Sequence, residues 1–451
     1  MNFKLDNFLN PKKLRLIALI FPLITFIGVF FNSDIYKNLS LLQNSDATAV
    51  FIISAAALVL CMLFLYYYGD FKSDLSFLAA IFIATFAIIM RLFMFDSQSG
   101  DYNSFLSEWI FEMRTLPGVE ALVKPIGDYN MPYLYFLFVI AKSGIRDLYM
   151  IKIISVIFDL VCALGVLKLV SVFNNGDNSK LFAFTIFLFA PTVFLNSSYW
   201  AQCDSVYTAF CIFALYFALK DKGSLSVIFF SLAFSFKIQT IFILPIIVFL
   251  LILKKIKPLD LVLFPVTFVL TLVPALICGR SFYDTFSIYL SQTQSYPSLS
   301  MNAASFWEIF PESEFMFFGS AAVFFAGAGA LLVLIALLNK YKKIEKKHIL
   351  DIALIFCLLI PFLLPRMHER YFYLAEVLSI IYVIVKNKRL YIAPILLTTG
   401  FVSYYPFIFG EPPISFNYLP IANGIVLIIL IKALFDDLNK NSKPLLKGEN
   451  I

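Results

Sequence analysis

The sequence predicts an all-α polytopic membrane protein. Of its 451 residues, 61% are hydrophobic and only 14% are charged, whereas a soluble domain carries about 25% charged residues. The mean hydropathy is +0.87, and the apolar residues form long blocks instead of the short amphipathic stripes of a soluble core. The net charge of +6 is spread over short runs between these blocks, so no nucleic-acid-binding domain is expected.

The apolar blocks predict about 12 to 14 transmembrane helices, since one crossing takes about 20 apolar residues. Met131–Ala141 is too short to cross, so an interfacial or re-entrant helix is expected there. The first block is too long for a signal-peptide core and lacks a cleavage pattern, which favours a retained anchor. The predicted spans lie near 14–31, 48–69, 75–95, 147–173, 180–199, 204–220, 224–237, 238–253, 258–279, 315–339, 347–365, 370–386, 389–408 and 413–436.

Lysine and arginine determine the expected orientation, because these residues accumulate in cytoplasmic loops. If the N-terminus is cytoplasmic, the runs "PKKLR", "KKIK", "KYKKIEKK" and "KNKR" and the C-terminal tail all lie inside. The long loops 96–146 and 280–314 then lie on the outer side. Both termini are therefore predicted to be cytoplasmic.

Residues able to do chemistry gather on the predicted outer side. Since a random set would be scattered over both sides, we expect one outward-facing site. Its candidates are Asp101, Asp128 and Tyr129, Trp200, Gln202 and Asp204, Lys237 and Gln239, Arg280, Tyr296 and Asn302, and Arg366, His368, Glu369 and Arg370.

Asp101 begins a stretch with helical spacing. Phe105 and Trp109 follow at intervals of four, so all three lie near one face of a predicted helix. The aromatic rings can seat this helix in the headgroup layer, which holds the carboxylate above the bilayer. A simpler alternative is that Asp101 only caps the helix. Asp204 has the same alternative for the span that follows it.

The motif "PRMHERY" places four polar or charged side chains beside apolar runs. Arg366 and Arg370, four apart, are expected on one helical face, where either can bind a phosphate or carboxylate bidentately. His368 is one of only two histidines in the chain, and Glu369 can orient an arginine or reduce the local positive charge. The alternative is a solvated helix end. Lys237 has a comparable alternative as a snorkelling side chain.

Six motifs follow one another along the chain: "GDYNSFLSEW", "GDYNMPYLYF", "NSSYWAQCDSVY", "FKIQTIFILP", "YPSLSMNAASFW" and "LPRMHERYFY". They resemble motifs of the bacterial relatives of the second GPI-anchor mannosyltransferase, which belong to the GT-C fold of membrane glycosyltransferases. The resemblance covers roughly residues 80 to 385. Within it, Ala201 replaces a glycine and Met131 replaces a proline of the usual pattern.

The resemblance implies an inverting hexosyltransferase, mannosyltransferase-like, in a bacterial cytoplasmic membrane. It would transfer a sugar from a polyprenyl-phosphate donor to a glycan, lipid or protein acceptor on the outer face, as in cell-envelope glycan synthesis. Asp101, in the long first outer loop with its interfacial helices, would be the base. Donor phosphate would be bound by Arg366, His368, Arg370, Lys237 and Arg280, and substrate by Asp128, Tyr129, Trp200, Gln202, Asp204, Gln239, Tyr296, Asn302 and Glu369.

The chain is expected to divide into N-terminal helices (1–74), a catalytic membrane core (75–386), C-terminal helices (387–436) and a cytoplasmic tail (437–451). We expect no cofactor and no metal, because a lipid phosphate is already a good leaving group and the arginines can stabilise its charge. The six cysteines lack zinc-ligand spacing.

Two other functions remain open. A polysaccharide polymerase or ligase would share the outer arginines and histidine. A lipid-linked sugar transporter or flippase would favour ionisable residues at mid-membrane in repeated halves, and the mid-span charges here show no evident symmetry: Arg91, Lys152, Asp159 and Lys168.

Overall fold

A computed structural model of the chain describes residue 15 and residues 19–32, 44–291 and 298–440. Tyr296, most of the predicted tail, and parts of the first predicted span and the second outer loop lie outside the described residues. Apart from one pair of two-residue strands, the regular secondary structure of the described residues is helical. The all-α architecture predicted from the composition is thereby confirmed.

The helices and strands follow one another along the chain with short 3₁₀ and π segments between them. The elements are α1 (Ile20–Asn32), α2 (Asn44–Tyr68), α3 (Asp74–Leu92), α4 (Ser107–Thr115), α5 (Glu120–Val123), α6 (Met131–Ser143), α7 (Asp147–Phe173), α8 (Asp177–Phe189), α9 (Pro191–Phe194), α10 (Asp204–Leu219), α11 (Gly223–Phe236), α12 (Ile246–Ile252), α13 (Leu263–Ile277), α14 (Phe282–Ser291), β1 (Ser300–Met301), α15 (Phe315–Leu338), α16 (Ile349–Leu363), β2 (Met367–His368), α17 (Tyr373–Lys386), α18 (Ile392–Ile408) and α19 (Tyr418–Lys440).

Six helices in the described ranges are long and apolar enough to cross a membrane, namely α2, α3, α7, α13 with the 3₁₀ turn before it, α15 and α19. A seventh span arises if α8 and the segment after it, bent by 50°, cross together. Several other predicted spans correspond to shorter helices, because proline or a 3₁₀ turn interrupts them. Pro191 lies at the bend, and the block 224–253 is divided by the 3₁₀ turn Ile238–Phe242.

The chain forms two compact units. The first comprises Met1–Tyr216, Ile228–Ile238 and Phe264–Thr293, and the second comprises Phe217–Val227, Gln239–Leu263 and Gln294–Ile451. In the first unit the long helix α7 packs against α2 and α8, while α3 packs against α1, α2 and α8. Most of α7 is buried, so it forms the centre of this unit.

The mid-span charges of the first unit all have protein partners. Arg91 donates to Asp159 at 2.8 Å, and both side chains are 1% exposed. Lys152 donates to three backbone carbonyls in the turn after α3. Lys168 pairs with Asp70 at 2.7 Å. These contacts join α3, α7 and the loop after α2, so the four charges have a structural role.

In the second unit α16 packs against α12, α15, α17 and α19. Strands β1 and β2 are parallel, with Ser300 opposite Met367 and Met301 opposite His368. The indole nitrogen of Trp307 donates to the carbonyl of Leu363 at 2.6 Å. These contacts fix the "SMNAASFW" segment against the end of α16 and against "PRMHERY".

Candidate functional site

The predicted helix at Asp101 is present, but Asp101 does not cap it. Helical structure begins at residue 100 and continues to Thr115, and the rings of Phe105 and Trp109 lie 5.9 Å apart. Ser99 supplies the cap, because its hydroxyl accepts from the backbone N–H of Tyr102 at 3.1 Å. The side chain of Asp101 makes no capping hydrogen bond. The capping alternative for this carboxylate is therefore wrong.

The carboxylate of Asp101 accepts a hydrogen bond from the side-chain amide of Gln202. Gln202 Nε2 lies 2.5 Å from Asp101 Oδ2, and Gln202 Oε1 accepts from the Tyr129 hydroxyl at 3.3 Å. Gln202 is 1% exposed, whereas Asp101 is partly exposed. Three residues from separate predicted motifs thus form one hydrogen-bonded chain.

The corner that presents Gln202 has an unusual backbone. Ala201 has φ +65°, in the left-handed region that costs a non-glycine residue about 1–2 kcal/mol. The backbone N–H of Gln202 donates to the carbonyl of Asn196 at 2.8 Å, and Asn196 lies in a π-helical segment, Leu195–Tyr199. A second π segment, Tyr102–Leu106, directly follows Asp101. Such segments recur at functional sites.

Aromatic packing holds Tyr129 in place. Its ring lies 5.8 Å from that of Trp109 and 4.6 Å from that of Tyr133. Gly127 has φ +75°, and a Cβ there would meet the Trp109 ring at 3.0 Å. The glycine of the "GDYN" motif therefore permits the close approach of the loop to α4. Asp128 is exposed beside it.

Asp204 and Lys237 form an ion pair of 2.5 Å. Asp204 is fully buried and also accepts from Asn196 Nδ2 at 2.9 Å. The Lys237 ammonium lies 5.8 Å from the Tyr207 ring, and its side chain is 11% exposed. Lys237 is thus paired with a buried carboxylate, and this contact replaces the snorkelling alternative.

Arg280 follows the C-terminal end of α13 and is 3% exposed. One guanidinium nitrogen donates to the carbonyl of Lys124 at 3.0 Å, and its other two nitrogens have no hydrogen-bond partner among the described residues. Burial lowers the pKa of the Arg280 guanidinium, and the charge of Asp284 acts in the opposite direction. A buried cation of this kind is suited to binding an anion.

"PRMHERY" in the second unit is not helical, so the prediction that Arg366 and Arg370 share a helical face is wrong. Leu364 has extended backbone before Pro365, as steric contact with a proline ring requires. Arg366 has φ +62° and its backbone N–H donates to the carbonyl of Leu299 at 2.9 Å. The β2 strand follows at once.

Glu369 is the buried centre of this motif. It is 1% exposed and its carboxylate lies 2.5 Å from the Arg370 guanidinium and 3.7 Å from His368 Nδ1. Burial by itself would raise the pKa of Glu369, but Arg370 and His368 more than offset this effect, so its pKa lies below the usual value. Glu369 thus orients Arg370, which is one of the two roles predicted for it.

The remaining predicted residues of the second unit belong to this motif, pair with it, or lie in the 3₁₀ turn Ile238–Phe242. The Arg366 guanidinium stacks 5.2 Å from the Phe315 ring, and the His368 ring lies 5.1 Å from Tyr371. Asn302 has φ +56° and forms a β-bridge with His368. Gln239 is 6% exposed, and its side-chain oxygen has no hydrogen-bond partner within the described ranges.

The predicted site residues therefore fall into one set in each unit. The first holds Asp101, Asp128, Tyr129, Trp200, Gln202, Asp204, Lys237 and Arg280, and the second holds Gln239, Asn302, Arg366, His368, Glu369 and Arg370. No group of three His, Cys, Asp or Glu side chains suited to a metal ion occurs in the described parts of the chain.

Sequence reasoning missed Ser99 and Asn196. Ser99 also donates to the carbonyl of Trp200 at 2.7 Å, so it connects the start of the Asp101 helix with the corner before Gln202. Its position just before a helical stretch was a usable capping signal. Asn196 carries no comparable local signal.

No protein-family model matches the chain, and comparison with curated proteins finds none that is similar to it. The GT-C resemblance therefore rests on the short motifs alone.

Proposed function

We propose that this protein is an inverting glycosyltransferase that moves a monosaccharide from a polyprenyl-phosphate donor to an acceptor on the outer face of the membrane. The observation that carries the proposal is the carboxylate of Asp101. It is partly exposed, it does not cap its helix, and a buried amide orients it. A general base needs this combination of access and fixed geometry.

The chemistry requires one base and one site for the leaving group. The acceptor hydroxyl oxygen bonds to the anomeric carbon while Asp101 takes the hydroxyl proton. The bond from that carbon to the phosphate oxygen breaks, and the phosphate leaves with one more negative charge. Cations can stabilise this charge, and the resemblance implies that role for Arg366, His368 and Arg370. A phosphate leaves without protonation, so the second carboxylate of a glycosidase is not needed.

Asp204 is less suited than Asp101 to act as the base. It is fully buried and its charge is compensated by Lys237. An acceptor hydroxyl would have to displace a buried ion pair to reach it, which costs several kcal/mol.

The transporter alternative has less support. Ionisable residues that line a transport path are expected to face a cavity or change partners. Here Arg91 and Asp159 are buried against each other, and Lys152 is held by three carbonyls. A polymerase or ligase would also use the arginines and histidine of the second unit, but it need not have a base at Asp101. Loss of activity in Asp101→Asn would therefore favour the proposed transferase over a polymerase or ligase.

The test is sugar transfer by purified Asp101→Asn in nanodiscs with polyprenyl-phosphate monosaccharides as donors. Asparagine keeps the shape but cannot take the proton, so turnover should fall about 10² to 10⁴-fold with donor binding unchanged. Glu108→Gln, at an exposed carboxylate of α4 with no assigned role, is the matched variant and should retain most of its activity. If Asp101→Asn keeps half the wild-type rate while Asp128→Asn is inactive, the base has been assigned wrongly.

A further inference from the structure

Gln202 is oriented by partners on both sides of its side chain. A carboxylate can only accept, so the amide NH₂ must face Asp101. The amide oxygen then faces Tyr129, whose hydroxyl must donate to it. This assignment satisfies both ends of the amide, and reversing it would place two acceptors against each other at Asp101.

The burial of Gln202 restricts what it can contact directly. Its side chain is 1% exposed, and its backbone N–H is bonded to Asn196. The resemblance implies a substrate contact for this residue, yet its amide nitrogen and oxygen are already bonded to Asp101 and Tyr129. Its effect on a reaction would therefore pass through Asp101.

We infer that Gln202 is a positioning residue that holds the Asp101 carboxylate in its reactive orientation, and that Tyr129 fixes Gln202 in turn. This inference rests on the proposed function for its kinetic consequences, but the hydrogen-bonded chain itself does not depend on that function. The strained corner at Ala201 and the contacts of Asn196 set the position of the amide.

Three variants separate the donor role of Gln202 from its shape. Gln202→Glu has the same size and still accepts from Tyr129, but it places a second carboxylate against Asp101. Gln202→Met removes the polar group without adding charge, and Tyr129→Phe removes only the anchor. If Gln202 positions Asp101, kcat should fall about 10² to 10³-fold in Gln202→Glu and about 10 to 10²-fold in Gln202→Met. The decrease in kcat should be smallest in Tyr129→Phe.

The KM for the donor should change less than threefold in all three variants, because Gln202 contacts the base. A role in packing alone predicts the reverse order, with the isosteric Gln202→Glu closest to wild type. That order, or a loss confined to KM, would overturn the inference.

A second measurement, chemical labelling of carboxyl groups, does not depend on enzymatic activity. A water-soluble carbodiimide with an amine nucleophile modifies accessible carboxyl groups, and peptide mass spectrometry follows Asp101 and the exposed Glu108 in the same sample. Loss of the Gln202 donor should speed modification of Asp101 at least threefold in Gln202→Met and leave Glu108 unchanged. Equal rates at Asp101 in wild type and Gln202→Met would contradict the inference. If wild-type protein shows no transfer at all, the proposed function fails, and this labelling still decides the role of Gln202.

Discussion

Asp204 and Lys237, which are 33 positions apart in the sequence, form an ion pair of 2.5 Å at the start of α10. Asn196 donates to the same carboxylate. The pair joins the first residue of α10 to the residue that follows α11, so it fixes the start of the helix that follows Gln202.

Lys237→Met should destabilise the protein by about 3–5 kcal/mol, because it leaves the Asp204 carboxylate buried without its cation. Combining it with Asp204→Asn should recover most of that loss, since both charges are then absent. Thermal unfolding in detergent measures both effects. Wild-type stability in the single variant would show that the pair is not structural. Loss of donor binding in both variants, although the double variant is stable, would assign Lys237 to the phosphate.

Replacing Arg366 and Arg370 together with alanine should abolish binding of the polyprenyl-phosphate donor. Arg370→Lys keeps the charge but loses the bidentate geometry, so it should lower kcat more than it raises KM. Donor titration in nanodiscs measures this, with Lys388→Ala, an exposed cation of the same unit, as the control. Unchanged donor affinity in the double variant would mean that these arginines only stabilise the β2 segment.

Arg280→Met should leave the donor-free protein as stable as wild type or make it more stable. The substitution removes a buried cation whose Nε and Nη2 atoms have no partner among the described residues, and such a charge is costly. If Arg280 binds an anion, the variant should also lose stabilisation by farnesyl phosphate in a thermal-shift measurement. A large loss of stability without added anion would identify Arg280 as structural.

Ionised Glu369 should stabilise the folded protein, and this contribution should be lost at acid pH. Its pKa is lowered in the folded state, so its contribution is fully present above the unfolded pKa and is lost as the pH falls through the folded pKa. Thermal unfolding from pH 6 to pH 3, a range that extends well below the usual glutamate pKa of 4.5, should therefore show a smaller decline in Glu369→Gln than in wild type. The exposed Glu411→Gln is the control, and an identical decline in all three proteins would argue against this linkage.

Local sequence signals predicted the elements but not always their ends. The spacing of Asp101, Phe105 and Trp109 correctly predicted a helix, because helical periodicity is a property of neighbouring residues. The helical face expected for Arg366 and Arg370 was wrong, although Pro365 was visible in the sequence. The β-pairing that replaces the helix involves Ser300 and Met301, more than 60 positions away, and periodicity contains no information on that contact.

Composition by itself determined that the chain is helical and largely apolar, since long hydrophobic blocks must satisfy their backbone groups internally. The residue types also indicated which stretches could do chemistry. Only the tertiary structure decided what each charged group does: Asp101 is oriented by Gln202, while Asp204 is neutralised by Lys237. Both are aspartates near helix starts, and their difference arises from partners distant in sequence, because burial and hydrogen bonding determine the chemistry of a carboxylate.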